Sequence, residues 1–293
     1  MPLRTFLFAP ANHARRVEKA FTLGADAVIL DLEDAVAVAE KPAARAKAIE
    51  ALQSPRRCLG YVRVNAMDTP FCYGDLLAVV QAGLDGIILP KVETAEGLLT
   101  ADWLVSQLER ERGLAAGSVD IVPILETARA VTTVDAIMKA GSRIRRVAFG
   151  AGDYSLDLGV TWSRDERECQ HARDVIVTAS RGHGLEAPLD SAYARLDDAE
   201  GLLASARGAA AVGYQGKMCI HPDQVEPVNA MFTPAAEEVA FARRVVAAFA
   251  EAEAQGSSAF RIDGKFIDYP ILFRARRVLE VIEQLESRRA AIY

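Results

Sequence analysis

The stretch AVILDLED at residues 27–34 carries the pattern that decides the fold of this chain. Its apolar start is expected of a parallel strand that is covered on both faces, and acids follow at its end. Seven more apolar runs share this character, at residues 3–9, 61–65, 86–90, 121–126, 146–150, 185–190 and 213–220. Helical patterns separate them at intervals of roughly 25–35 residues, the size of one βα unit. The sequence therefore reads as eight consecutive βα units.

Eight βα units predict a closed (β/α)8 TIM barrel, an α/β fold that takes roughly 250 residues. We expect the barrel at residues 1–230 and a C-terminal helical appendage at residues 231–293. An open doubly wound sheet is the alternative, but the sequence lacks GxGxxG and GxxxxGK[ST], the phosphate loops of its nucleotide-binding forms. In the appendage we expect a helix at 235–254, a turn with an Asp-Gly at 261–270 and a final helix from about 271 to 289.

The composition narrows the classes of function. A net charge of −6 without a basic stripe argues against a nucleic-acid partner. No run of about 20 apolar residues predicts a membrane span, and no secretory signal is evident. The four cysteines contain no CxxC pair, which is typical of reduced thiols, and the four histidines show no HxxxH or HxH spacing for zinc. These features predict a cytoplasmic protein with no nucleic-acid or membrane partner.

Glu126 and Asp153 are the first candidates for chemistry, because each lies at or just past the end of a predicted strand, the fifth and the sixth. The C-terminal ends of barrel strands form the active-site face. Two carboxylates on neighbouring strand ends fit one Mg²⁺, whose remaining positions are filled by water and substrate oxygens. The alternative is that Asp153 caps the following helix. The Gly150-Ala151-Gly152 turn leaves room for backbone N–H groups to approach a carboxylate.

Arg63 and Lys91 are the cations expected beside these acids. Arg63 lies inside the third strand, and its fork suits a planar carboxylate, either from a substrate or from Glu33 and Asp34; a buried structural ion pair is the alternative. Three acids end the second strand, and we interpret Glu33 and Asp34 as holding metal-bound waters and Arg63, beside Asp31. Lys91 is interpreted as an electrostatic partner of the acids rather than a Schiff-base amine, since an acidic cluster keeps it protonated.

At these residues the chain resembles the citrate lyase β-subunit-like (CitE-like) enzymes of the HpcH/HpaI aldolase superfamily. The resemblance runs from about Leu3 to the C-terminus, with one departure at Ala11, where the family often has Gly. It is specific because several motifs occur together and in the family's order. The matching stretches are LRTFLFAPANHARRVEKA, VILDLEDAV, YVRVN, ILPKVE, ILETARAV, AFGAGDYSLDLG, GYQGKMCIHPDQV and DGKFIDYP.

The resemblance implies roles for the acids. It implies that Glu126 and Asp153 hold Mg²⁺ and that Glu33 and Asp34 hold metal-bound waters. It also gives a role to Asp268 in DGKFIDYP, which taken alone is a surface acid. In acyl-CoA lyases that this chain resembles, the acid of that segment comes from a neighbouring subunit and transfers a proton. Since the segment is intact here, the resemblance implies a catalytic Asp268.

Substrate contacts and assembly are implied in the same way. By resemblance, Arg63 and the backbone of Gly152 and Asp153 bind the carboxylate and carbonyl of a 2-oxo acid. Three cations fall where similar enzymes contact the phosphates of CoA, namely Arg4, Arg16 and Lys19. An acid supplied by a neighbour requires an oligomer, and the resemblance implies a homotrimer or a homohexamer.

The activity implied by the resemblance is that of an oxo-acid lyase. Such an enzyme cleaves or forms a 3-hydroxy-3-carboxyacyl-CoA, such as malyl-CoA or citramalyl-CoA, and the products of cleavage are a 2-oxo acid and acetyl-CoA. The alternatives are a citrate lyase β subunit acting on citryl-ACP, a malyl-CoA thioesterase, a barrel aldolase for free hydroxy-oxo acids, and a non-catalytic oxo-acid-binding protein. The intact set of Arg63, Glu126, Asp153 and Asp268 argues against the last.

Overall fold

The computed structural model describes residues 3–292, with side chains up to residue 287. Residues 3–231 form one compact unit, and the described residues from 232 onward form a second. The division lies one residue from the boundary expected from the sequence. Among the described helices, none is both long enough and apolar enough to cross a membrane.

The first unit is a closed barrel of eight parallel strands in chain order, in which the last strand pairs with the first. The strands are β1 Thr5–Pro10, β2 Ala27–Asp31, β3 Leu59–Arg63, β4 Gly86–Leu89, β5 Asp120–Leu125, β6 Ala148–Phe149, β7 Leu189–Asp190 and β8 Gly216–Cys219. The predicted barrel is confirmed, and the open doubly wound sheet is wrong. β7 is shorter than its apolar run, because Pro188 has no N–H to donate to a neighbouring strand.

Helices connect the strands and surround the barrel. They are α1 Ala14–Ala20, α2 Lys41–Gln53, α3 Cys72–Val79, α4 Ala95–Glu111, α5 Ala128–Thr132, α6 Val134–Lys139, α7 Ala151–Asp157, α8 Gln170–Gly182, α9 Ala199–Val212 and α10 Val225–Met231. Local sequence sets several of their ends. Thr94 and Thr127 accept hydrogen bonds from the N–H groups of Gly97 and Ala130, each at 3.1 Å, as N-caps do. α9 ends at Gly213, whose φ of 115° few other residues adopt.

Alternate residues of each strand face the barrel interior, where they form one buried apolar cluster. Ile29 of β2 belongs to this cluster, and Asp31, two residues further on, points to the same side because side chains alternate along a strand. The same relation holds between Ile124 of β5 and Glu126. Asp31 is also paired in register with Arg63 on β3. The alternation of the strands therefore carries polar side chains to the top of the apolar interior.

The second unit consists of two helices and a hairpin, namely α11 Ala236–Ala254, β9 Phe260–Ile262, β10 Lys265–Ile267 and α12 Tyr269–Ile292. Asp263 and Gly264 form the hairpin turn with φ of 50° and 78°, the conformation that Asp-Gly favours between paired strands. Val245, Phe249 and Leu272 lie in the core of this unit. Both predicted helices are confirmed. The segment predicted as a turn contains two short strands as well, and the final helix begins two residues earlier than expected.

Candidate active site

Five strands bring acids and bases to one end of the barrel. Asp31 and Arg63 are the last residues of β2 and β3, and Lys91, Glu126 and Asp153 follow β4, β5 and β6. Because the strands are parallel, their carboxyl ends lie at the same end of the barrel, which is the active-site face of this fold. We call this group the site cluster, and its members are Asp31, Glu33, Asp34, Arg63, Lys91, Glu126 and Asp153.

Arg63 is held by three carboxylates. Its Nε and Nη2 donate to the two oxygens of Asp31 at 2.7 and 2.6 Å, which is the paired geometry of a strong ion pair. Its Nη1 lies 2.9 Å from Glu33 Oε2 and 3.3 Å from Asp34 Oδ2. The sequence predicts the contacts of Arg63 with Glu33 and Asp34. It does not predict the two parallel hydrogen bonds from the Arg63 guanidinium to Asp31. Asp31 therefore occupies the fork of the guanidinium, and Nη1 faces Glu33 and Asp34.

Asp31 is a buried and ionised part of this arrangement. Burial opposes its charge, but Arg63 and the backbone N–H groups of Glu33 and Ala35 outweigh that effect and lower the pKa of Asp31. The two N–H groups donate to the two Asp31 oxygens, each at 3.0 Å. Asp31 therefore orients both the guanidinium of Arg63 and the backbone that carries Glu33.

Lys91 links three acids of the site cluster. Its φ of 52° is a left-handed conformation that costs a non-glycine residue about 1–3 kcal/mol. In this conformation its backbone N–H donates to Glu126 Oε1 at 2.8 Å and its Nζ to Glu33 Oε1 at 3.0 Å, while Asp153 Oδ1 lies 3.9 Å from Nζ. Burial works against the ammonium charge, but Glu33 and Asp153 more than offset it and raise the pKa of Lys91. Lys91 is therefore a cationic partner of the acids and not a neutral Schiff-base amine.

Glu126 is the more buried of the two predicted metal ligands, at 3% exposed. Burial, followed by the nearby charge of Asp153, raises the pKa of Glu126 to about 8. Gly150 makes room for it, since a Cβ at that position would overlap the Glu126 side chain. Packing against Glu126 therefore explains why position 150 is a glycine, and the sequence alone does not reveal this contact.

Asp153 lies in the first turn of α7, and Gly150 is the residue that precedes this helix. Among the described side chains none caps α7, and its N-cap residue is Gly150, so the alternative interpretation of Asp153 as the N-cap is wrong. The Asp153 side chain remains 37% exposed at the barrel end. It is thus open to a ligand, while Glu126 beside it is enclosed by protein.

The charges of the site cluster suit a divalent cation. Four carboxylates pair with two cationic side chains, those of Arg63 and Lys91, and the fifth carboxylate, Glu126, accepts from the backbone N–H of Lys91. The charge of Asp153 works against ionisation of the buried Glu126, and a dication bound by both would remove that conflict. Mg²⁺ takes one or two carboxylates and completes its shell with other oxygens. Within the described side chains no three acids, histidines or cysteines converge as a metal site. The residues present therefore fit Mg²⁺ with two protein ligands.

Lys41 and Asn65 bond the backbone at Leu32 and at Glu33 of the site cluster. Neither residue is predicted from the sequence. Lys41 is buried, and its Nζ donates to Leu32 O at 3.0 Å, to Glu33 O at 2.5 Å and to Asn65 Oδ1 at 2.7 Å. It thereby fixes the backbone from which the Glu33 side chain extends. Lysine at the start of a helix is usually exposed, so no feature of the sequence distinguishes Lys41.

The three cations predicted to contact CoA phosphates do not lie together. Arg4 precedes β1, at the amino-terminal end of the barrel, and its guanidinium pairs with Asp26 at 2.8 Å. That end is opposite the site cluster, so the structure does not bring Arg4 to the site. Arg16 and Lys19 are exposed on α1, which follows the carboxyl end of β1. Their contact with CoA stays a prediction.

Asp268 lies in the second unit, between β10 and α12. Its Oδ1 accepts a hydrogen bond from the N–H of Ile271 at 3.3 Å, at the start of α12. Asp268 is half-buried, and its neighbours in sequence, Phe266 and Tyr269, are exposed. All members of the site cluster belong to the first unit. The role of Asp268 in a neighbouring copy therefore stays a prediction.

The chain is similar to known proteins over nearly its whole length. Residues 4–222 match the HpcH/HpaI aldolase/citrate lyase family. The citrate lyase subunit beta of Leuconostoc mesenteroides subsp. cremoris is 37% identical over 284 residues, which cover 95% of this chain and 92% of that protein. A (3S)-malyl-CoA thioesterase of Cereibacter sphaeroides is 35% identical over 295 residues, which cover 99% of this chain and 98% of that protein.

A solved structure extends the likeness to three dimensions. The CitE protein of Mycobacterium tuberculosis, in complex with magnesium, acetoacetate and coenzyme A, superposes with a TM-score of 0.77. It is 33% identical, and the match covers 95% of this chain and 97% of that one. The chain therefore belongs to the HpcH/HpaI aldolase/citrate lyase family and is an enzyme of the oxo-acid-lyase class.

Proposed function

We propose that this protein is a Mg²⁺-dependent acyl-CoA lyase. Its substrate is a 3-hydroxy-3-carboxyacyl-CoA such as malyl-CoA or citramalyl-CoA, which it cleaves to a 2-oxo acid and acetyl-CoA or forms from them. The observation that carries the proposal is the juxtaposition of buried Glu126 with Asp153 beside Arg63 and Lys91. The relative that holds magnesium and coenzyme A supports the same ligands for this chain.

Glu126 and Asp153 are the proposed protein ligands of Mg²⁺, and Glu33 and Asp34 would bond the waters that complete its shell. A bound Mg²⁺ polarises a carbonyl oxygen and lowers the pKa of a hydroxyl group. The backbone N–H of Lys91 holds Glu126 Oε1 at 2.8 Å, which leaves its other oxygen for the metal. The acids are thus oriented before any ligand arrives, which is the form of electrostatic catalysis that needs little reorganisation.

Arg63 is the proposed anchor of the oxo-acid carboxylate, together with the backbone N–H groups of Gly152 and Asp153. Asp31 holds the guanidinium by two hydrogen bonds, so Arg63 does not have to change conformation when a substrate binds. Arg16 and Lys19, both exposed, are the proposed contacts for CoA phosphates.

Asp268 of a neighbouring copy is the proposed proton-transfer group. Cleavage breaks the bond between the hydroxyl-bearing carbon and the carbon next to the thioester, and the electron pair passes into a thioester enolate. The hydroxyl gives its proton to solvent water as the carbonyl of the oxo acid forms, and Asp268, in its protonated form, gives a proton to the enolate carbon and regains one from water. In the direction of bond formation Asp268 removes that proton, as microscopic reversibility requires.

A homotrimer or homohexamer would bring Asp268 to another copy's site cluster. The surface around Asp268 supports such an assembly, because Phe266 and Phe273 are 61% and 58% exposed and Tyr269 stacks on Phe273. Exposed aromatic side chains that lie close together are typical of surfaces that another protein covers.

The experiment that tests the lyase is release of acetyl-CoA and oxo acid from malyl-CoA and from citramalyl-CoA. We expect release with Mg²⁺, none with EDTA, and none from Asp153→Asn with Mg²⁺. Asp135→Asn is the matched control, because Asp135 is an exposed acid on α6 whose partner is His183. Failure of the folded wild-type protein to release an oxo acid from either substrate would contradict the proposal.

Thioester hydrolysis is the second candidate, since a relative at 35% identity is named a (3S)-malyl-CoA thioesterase. The products distinguish the two reactions. Cleavage of malyl-CoA yields glyoxylate and acetyl-CoA, whereas hydrolysis yields malate and free CoA. Malate as the sole carboxylic-acid product would replace the lyase proposal by the thioesterase.

A third candidate is a citrate lyase β subunit, which differs from the acyl-CoA lyase in the carrier of the acyl group. The citrate lyase subunit beta at 37% identity supports an activity on citryl-ACP. Assays with CoA thioesters and with citryl-ACP in parallel distinguish the two carriers. Turnover of citryl-ACP alone would identify a citrate lyase β subunit, and binding of oxo acid without turnover of any thioester would identify a non-catalytic oxo-acid-binding protein.

A further inference from the structure

A tryptophan outside the site cluster packs against the backbone that carries Asp153. Trp162 lies between α7 and α8, and its ring covers Gly152, with Cζ3 3.3 Å and Cε3 3.7 Å from where a Cβ would stand. The indole Nε1–H donates to Glu166 Oε1 at 3.2 Å. The ring therefore closes the space beside Gly152, one residue before Asp153, so that even a methyl group at this position would be crowded.

Glu166 is a rigid anchor for this indole. It is 2% exposed and has a φ of 53°, a left-handed conformation that is strained for a non-glycine residue. Its Oε2 accepts hydrogen bonds from Arg173 Nη2 at 2.8 Å and from Ser205 Oγ at 2.5 Å. Such strain persists only where the surroundings hold the residue on several sides. The Glu166 carboxylate that bonds Trp162 is therefore itself held by Arg173 and Ser205.

The anchor is continuous with the wall of the barrel. Arg173 also donates to Asp190 Oδ1 on β7 at 2.7 Å, and Lys217 Nζ on β8 donates to Asp190 Oδ2 at 2.5 Å. All three side chains are buried, and each charge has an opposite partner. A chain of hydrogen bonds therefore connects the indole, through Glu166 and Arg173, to Asp190 on β7 and Lys217 on β8.

We propose that Trp162 is a positioning residue of the active site, which confines the Gly152 backbone and thereby the Asp153 carboxylate. Gly152 lies in the first turn of α7, where a glycine weakens a helix, so a side chain that packs against this turn helps to hold its acid in place. The indole supplies that contact on one side. The effect of Trp162 on the α7 turn does not depend on the proposed function. The expected effect on Mg²⁺ binding does rest on the proposed function.

Hydrogen exchange in the metal-free protein tests the constraint directly. The variants are Trp162→Ala and Trp162→Phe, with Trp103→Ala as the matched control at a tryptophan of α4 that is 64% exposed. We expect the amides of α7 to exchange faster in Trp162→Ala and at the wild-type rate in Trp103→Ala. Trp162→Phe should lie between Trp162→Ala and the wild type, because phenylalanine retains a ring beside Gly152 but loses the N–H that bonds Glu166. Equal exchange in Trp162→Ala and the wild type would overturn the proposal.

Mg²⁺ binding tests the consequence. Since the chain has two tryptophans, Trp103→Phe leaves Trp162 as its only indole, and we expect its fluorescence to respond to Mg²⁺. By calorimetry, Trp162→Ala should bind Mg²⁺ about tenfold more weakly, the lower range for residues that orient metal ligands, and Trp103→Ala as the wild type does. Equal affinities would mean that Trp162 does not position Asp153. A wild-type protein that binds no Mg²⁺ would instead contradict the proposed function, and the exchange comparison would still decide the role of Trp162.

Discussion

At the scale of single residues, the cationic and hydrogen-bond partners of each buried acid decide whether it keeps its charge. Asp31 is ionised because Arg63 and two backbone N–H groups outweigh its burial. The single backbone N–H from Lys91 does not offset the burial of Glu126, whose pKa is raised. Asp31 is therefore a fixed part of the scaffold, whereas Glu126 is a carboxyl group that a cation would ionise.

Asp31→Asn should destabilise the protein by about 3 kcal/mol, because it leaves the guanidinium of Arg63, only 12% exposed, without its paired carboxylate. Urea unfolding measures the change. Asp263→Asn is the matched control, since Asp263 pairs with Arg244 at 2.8 Å on an exposed surface, where such pairs contribute up to about 1 kcal/mol. Equal losses in the two variants would contradict the special role of Asp31.

The affinity for Mg²⁺ should depend on the proton of Glu126. With a pKa of about 8, this carboxyl is largely protonated at neutral pH, and the metal has to displace the proton. Apparent affinity should therefore rise by up to about tenfold per pH unit below pH 8 and level off above it. Calorimetric titrations of the wild type across this range measure the slope. Glu126→Gln should bind more weakly and lose this dependence, and a flat wild-type profile would argue against Glu126 as a ligand.

At the scale of elements, the junction between β6 and α7 joins both proposed metal ligands. Gly150 precedes α7 and lies against Glu126, the residue that follows β5, so Gly150→Ala should displace the Glu126 carboxylate. We expect Mg²⁺ affinity to fall by about tenfold or more, the range seen when the support of a metal ligand is lost. Calorimetry on the folded variant measures it.

Gly208→Ala provides the control for that substitution. Gly208 lies inside α9, and a Cβ there meets no other atom within 4 Å. Alanine should leave Mg²⁺ affinity unchanged and stabilise the helix by about 0.5–1 kcal/mol. Unchanged Mg²⁺ affinity in Gly150→Ala as well would mean that Glu126 tolerates the displacement or does not bind the metal.

At the scale of the whole molecule, the proposed function requires two copies of the chain for one site. Asp268→Asn and Glu126→Gln should each be inactive alone, because one lacks the proton-transfer group and the other a metal ligand. Co-expressed, they should regain part of the wild-type lyase rate, since some sites receive Asp268 from one copy and Glu126 from the other. Native mass spectrometry identifies the mixed oligomers. Mixed oligomers without any recovered activity would rule out a site shared between copies.

The sequence by itself determined the fold and the end of the barrel where the acids meet. Apolar runs at the spacing of βα units suffice for this, because parallel strands present their carboxyl ends at one face and side chains alternate along each strand. Glu126 and Asp153 could therefore be predicted as neighbours, and Lys91 as their cationic partner. The strand β7 is the weaker part of the prediction, since its pairing depends on which backbone groups find partners rather than on apolar character.

Only the tertiary structure decided how the polar side chains divide their contacts. The Arg63 fork is on Asp31 rather than on a substrate, Lys41 holds the backbone of Glu33, and Trp162 packs over Gly152. Arg4 lies at the opposite end of the barrel from the site cluster. Each of these relations depends on distances of a few ångströms between residues far apart along the chain. Local patterns of residue type carry no such distances, so packing of the strands and helices had to supply them.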